Sequence, residues 1–152
     1  MRRIGERVAA GAAAGLISTC TMTAVMAIAR GVGVLGEPPP RMISRRLLAR
    51  LGVGPSRGRA LDRVTAAAHL GFGAVMGTLF ALGSRRRGAV LQGAVFGLGV
   101  WAVSYAGLLP KLGLMPRPSV DRPGRPLSMV LAHLVYGGTL GSVLPLLSRP
   151  AA

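Results

Sequence analysis

The sequence predicts an all-α membrane protein: four transmembrane helices as two parallel two-helix repeats, with a short interfacial amphipathic helix in loop one. Three features predict this. First, positions 8–29, 64–84, 88–110 and 126–148 contain no Asp, Glu, Lys or Arg. A helix rises about 1.5 Å per residue, so about 20 apolar residues cross the ~30 Å hydrocarbon core. Second, the chain of 152 residues is 51% hydrophobic and only 15% charged, yet carries a formal net charge of +15. A soluble domain has about 25% charged residues. Third, the second and fourth runs repeat one motif, and so do the first and third.

These features also exclude classes. A disordered basic tail would have low hydrophobicity. A nucleic-acid binder would thread arginines along an amphipathic face and interleave aromatics. Here the runs are apolar all round and aromatics make up 4%, so no nucleic-acid partner is expected. A β-barrel would alternate apolar and polar residues in ten-residue strands. Backbone groups in lipid must be satisfied within the segment, so these spans are helices.

Span one covers Val8–Ala29, with Arg30 able to snorkel to the interface if the helix continues to Leu35. Met1-Arg2-Arg3 ahead of an apolar run also reads as a signal peptide, with Ala27-Ile28-Ala29 as its cleavage site. Cys20 after Thr19 is a weak lipoprotein signal. The run is long for a signal peptide and matches span three, so a retained helix is expected. Cys20 is then a small packing residue. A single cysteine excludes an intrachain disulfide.

Loop one runs from Arg30 to Arg63. On a helix over 41–51, Ile43, Leu47, Leu48 and Leu51 share one side. Arg41, Arg45, Arg46 and Arg50 fall on the other. This pattern predicts an interfacial helix whose arginines contact anionic lipid headgroups. A plain solvated basic loop is the alternative, because Met42 lies off the stripe.

Span two is Val64–Gly83, and span three is Gly88–Leu109. The turn Ser84-Arg85-Arg86-Arg87 between them forces an antiparallel pair. Span four is Leu127–Leu147. His69-Leu-Gly-Phe-Gly73-Ala-Val-Met-Gly77 in span two matches His133-Leu-Val-Tyr-Gly137-Gly-Thr-Leu-Gly141 in span four. Gly11-Ala-Ala-Ala-Gly15 in span one matches Gly93-Ala-Val-Phe-Gly97 in span three. One membrane domain, 1–152, thus contains copies 8–83 and 88–147. Each copy crosses twice, so the copies enter from the same side and are parallel repeats.

Residues four apart share a helix face. Gly11 with Gly15, Gly73 with Gly77, Gly93 with Gly97, and Gly137 with Gly141 therefore form ridges that let helix backbones approach closely. His69 and His133 lie on those ridges and should face neighbouring helices. Continuing the ridges brings Thr23 and Tyr105 to a similar depth. A buried polar layer of His69, His133, Tyr105 and Thr23 is expected. Intramembrane histidine marks either interhelical hydrogen bonding or a path for protons or polar solutes. Two histidines on different helices could also be axial haem ligands, which makes His69 and His133 weak cofactor candidates. Zinc would want three or four ligands, and the cysteine and histidine spacing is unhelpful. No cofactor or metal is therefore expected.

The acids Glu6, Glu37, Asp62 and Asp121 all lie in loops or termini. They form no carboxylate pair and no legible Ser-His-acid set, so an enzyme is not expected. Loops one and three hold most of the Lys and Arg, which places them in the cytoplasm and the termini outside.

Pro39-Pro40-Arg41, Leu108-Leu109-Pro110 leading to Leu114-Met115-Pro116, and Ala132-His133-Leu134-Val135 resemble the YagU-like family of small bacterial inner-membrane proteins and related four-span families. The likeness covers most of the chain. It implies a multi-pass protein of the bacterial inner membrane and supplies no catalytic residues. The expected role is non-enzymatic: an envelope component, or a subunit of a membrane partner or homo-oligomer. A small transporter or conductor of protons or polar solutes is the alternative, and a haem-binding redox subunit is third.

Overall fold

The structure is a computed structural model and describes residues 2–54, 57–84 and 89–148. Among these the elements are helices, with no strand. In order they are α1 (Arg2–Gly31), α2 (Pro39–Leu51), α3 (Gly58–Gly83), α4 (Ala89–Trp101), a π-helical segment (Ala102–Leu108), α5 (Leu109–Lys111), a 3-10 turn (Pro118–Val120) and α6 (Arg125–Leu147). Four stretches are long and apolar enough to cross a membrane: Ile4–Gly31, Gly58–Gly83, Ala89–Lys111 and Arg125–Leu147. The chain is an all-α, four-span membrane protein. Arg85, Arg86 and Arg87, which form most of the expected tight turn, lie outside the described residues, as does Gly88, the expected start of span three.

Helix α1 packs on α3, α4 packs on α6, and α1 and α6 join the two pairs. The glycine ridges are where the pairs meet. A Cβ on Gly11 would sit 2.7 Å from the Ala81 Cβ and 2.8 Å from the Gly77 carbonyl oxygen. A Cβ on Gly15 would overlap the Gly73 carbonyl, and one on Gly77 the Gly11 carbonyl. In the other pair, Gly93 meets Gly137, Gly97 meets the His133 carbonyl, and Gly141 meets Ala89. All eight expected glycines therefore sit at backbone-to-backbone contacts. In lipid, such contacts replace the hydrophobic drive that water would supply.

The outer surface is apolar too. Leu91 is 72% exposed and Val103 69%, with Ile17, Val75, Val95 and Leu131 also facing outward. A water-facing helix would carry polar residues there. The buried side is formed by Ala14, Met22, Met26, Phe80, Tyr105, Met129, Tyr136 and Leu140, among others. Because α1 contributes Ala14, Met22 and Met26, it is an integral part of this core. Cys20, expected to pack inside, is exposed on the outer face.

Helix α2 begins with Pro39 and Pro40, whose fixed φ suits a first turn. It ends at Gly52, which adopts φ 65° and returns its N–H to the Leu48 and Ala49 carbonyls. The side it turns to the bundle includes Met42, the residue that lies off the apolar stripe. Pro39, Met42 and Ser44 are the buried residues, with Met42 7% exposed, while Leu51 is 62% exposed and Leu47 is also exposed. Short connections hold α2 across the loop end of the bundle. The face it buries is the one that seals the bundle, and that face includes Met42.

Candidate functional site

Between the glycine contacts and α2 the helices part. They leave a cavity of about 290 Å³, at the lower end for a small-molecule site. Thr19 and Met22 come from α1, and Thr65, Ala68, His69, Phe72 and Met76 from α3. Val100, Ser104, Tyr105 and Leu108 come from α4 and the π segment, and Met129, His133 and Tyr136 from α6. Pro39, Pro40, Ile43 and Ser44 of α2 form the roof. Most of the wall is carbon, with a few hydrogen-bonding groups.

His69, His133 and Tyr105 meet at this cavity as expected. Thr23 does not: it is exposed, and its hydroxyl donates to the Thr19 carbonyl at 2.7 Å. The reason is geometric. Each four-residue step on an α-helix turns about 40° past a full circle. Two steps from Gly15 carry Thr23 about 80° off the face. One step leaves Thr19 on it, fully buried beside Gly73. Tyr105 lies two steps beyond Gly97 and is nevertheless buried. It falls in the π segment, where each turn takes an extra residue, so the side chain stays on the inner face.

The polar groups differ in how they are satisfied. His133 Nδ1 hydrogen-bonds with the Met129 carbonyl at 2.7 Å. The Tyr136 hydroxyl crosses from α6 to donate to the Gly73 carbonyl of α3 at 2.9 Å. Tyr105 donates to the Asp121 carboxylate and stacks on Trp101, with ring centroids 6.1 Å apart. By contrast, His69 Nε2 and Thr65 Oγ1 are buried and have no hydrogen-bond partner among the described residues. They lie one helical turn apart on α3 and line the same cavity. A buried polar atom without a partner is uncommon in native structures and calls for an explanation.

Three groups were not anticipated. Asp121 and Arg125 form a buried ion pair at 2.6 Å, with side chains 1% and 8% exposed. Arg125 Nε also donates to the Leu35 carbonyl at 2.9 Å, tying loop one to α6. Their four-residue spacing was visible in the sequence, but both residues read as loop charges. Tyr136 was visible as the partner of Phe72 in the repeated motif, and both line the cavity.

The four arginines expected at lipid headgroups all have protein partners. Glu37 accepts from Arg45 at 3.0 Å and from Arg41 at 3.3 Å, and Arg41 also pairs with Asp62 at 2.8 Å. Arg46 donates to the Leu114 carbonyl at 3.0 Å, and Arg50 to the Leu112 carbonyl. They fasten the roof to its surroundings. Arg45 and Arg41 together hold the Glu37 carboxyl below its ordinary 4.5.

Comparison of the chain with protein families, with curated proteins and with solved structures returns no match.

Proposed function

We propose that this chain is a multi-pass protein of the bacterial inner membrane that binds and passes on a small solute without transforming it. The observation that carries this reading is the unpartnered pair, His69 Nε2 and Thr65 Oγ1, facing an apolar cavity within the membrane. A solute with one hydrogen-bonding group would satisfy them, and its apolar remainder would suit the carbon wall. The far half of the bundle favours a carrier over an open pore. There Gly11 closes on Gly77 and Gly141 on Ala89, with Phe80 and Leu140 buried alongside.

The second reading is a scaffold: an envelope component, or a subunit of a homo-oligomer or membrane partner. The glycine-sealed helix pairs favour it, since tight packing alone serves that role. Proteoliposomes separate the two. On the carrier reading, flux of a labelled small amphiphile with one polar group, such as butyramide, exceeds that of empty vesicles and falls at least several-fold in a His69→Ala/His133→Ala double variant. Wild-type flux equal to that of empty vesicles leaves the scaffold.

A further inference from the structure

A second concavity lies at the loop end, outside the roofed cavity and independent of the reading given to it. It is an open basin of about 830 Å³. Five arginines line it from four separate segments: Arg30 at the end of α1, Arg41 and Arg45 on α2, Arg57 before α3, and Arg122 before α6. Glu37 is the one acid in the lining. Like charges gathered from distant parts of the chain repel one another, and Glu37 together with Asp62, which pairs with Arg41 from outside the lining, offsets only part of that.

The donors are incompletely used. Glu37 is already shared by Arg41 and Arg45, and Arg41 is paired with Asp62 as well, so the free donors are those of the other three arginines. Arg122 places one nitrogen on the Gly33 carbonyl at 2.8 Å. Arg30 and Arg57 have no protein partner among the described residues. The backbone makes room for this crowding. Gly36 adopts φ 68°, and a Cβ there would meet the Arg122 guanidinium at 2.8 Å.

We propose that this basin is a binding site for a phosphate group. Guanidinium forks match phosphate oxygens two at a time, which favours phosphate over a compact monovalent anion. The basin opens at the loop ends of α1 and α3, where spans leave the membrane, so a phospholipid headgroup and a dissolved phosphate both have access.

The test uses the full chain in a neutral detergent and follows its thermal midpoint. Short-chain phosphatidylglycerol and inorganic pyrophosphate are titrated separately, with short-chain phosphatidylcholine as the zwitterionic control. Arg30→Gln/Arg57→Gln is the diagnostic variant, because those two side chains hold nothing else together. Lys111→Gln, away from the basin, controls for diffuse charge. The expected result is a saturable rise in midpoint, with apparent affinity at least tenfold weaker in the double variant and unchanged in Lys111→Gln. A rise with phosphatidylglycerol alone assigns the site to a lipid headgroup, and a rise with pyrophosphate assigns it to a dissolved phosphate. No rise with either, or an equal rise in the double variant, overturns the proposal. Solute flux through the roofed cavity is a separate readout, so either idea can fail without the other.

Discussion

His69 and His133 occupy matched positions in the motif yet differ in their bonding. His133 is anchored to the Met129 carbonyl, whereas His69 has an idle buried nitrogen. An unsatisfied buried polar atom costs about 1–3 kcal/mol. His69→Leu should therefore raise stability by about 1 kcal/mol while lowering flux, a trade expected of a site kept for function. Reversible unfolding in mixed micelles checks the first effect; a loss of stability would mean that His69 already has a partner. The ion pair at the loop end behaves in the opposite way. Arg125→Met strands Asp121 as a buried charge and should cost about 3–5 kcal/mol. Tyr105→Phe removes one hydroxyl from a carboxylate that keeps Arg125, and should cost about 1–3 kcal/mol. The same unfolding measurement ranks the two, and an equal loss would show that the tyrosine holds the carboxylate as firmly as the arginine does.

At the scale of elements, legibility followed locality. The spans were readable because hydrophobic length is a local property, and the glycine contacts because four-residue spacing survives one helical step. Thr23 was misread because two such steps do not. Tyr105 was placed correctly for a reason the spacing could not reveal, since nothing in the residues 102–108 announces a π turn. The rotation of α2 is set by what lies beneath it, so Met42, off the hydrophobic stripe, is the residue that packs inward. The hold on α2 is pH-sensitive. Glu37 titrates below 4.5 when folded, because Arg45 and Arg41 stabilise its charged form. That contribution is fully present above about 4.5, the unfolded value, and is lost as pH falls through the lower folded value. These partly exposed pairs are worth at most about 1 kcal/mol each. Hydrogen exchange in α2 should thus be unchanged from pH 7 to 5 once corrected for intrinsic rates, and should quicken by a few-fold near pH 3. Exchange already faster at pH 5 would show that Glu37 does not secure the roof.

For the molecule as a whole, the partition of charge was the most legible feature. Its apolar runs became the four spans, and much of its arginine became fastening at one end of the bundle. Loops one and three share that end, so they must share a side of the membrane. In a Cys20→Ala background, Ala49→Cys and Ser119→Cys should react with an impermeant maleimide from one side, and Ser84→Cys from the other. The positive-inside rule predicts that the first side is the cytoplasmic one, which the labelled side in oriented vesicles checks. Reaction of Ala49→Cys and Ser119→Cys from opposite sides would refute the arrangement. Helix α2 stands between two spaces, with Ile43 and Ser44 over the cavity and Arg41 and Arg45 on the basin. A change in the pose of α2 alters both spaces at once. Thermodynamic linkage then makes the relation mutual: by whatever factor a phosphate group strengthens solute binding, the solute strengthens phosphate binding by the same factor.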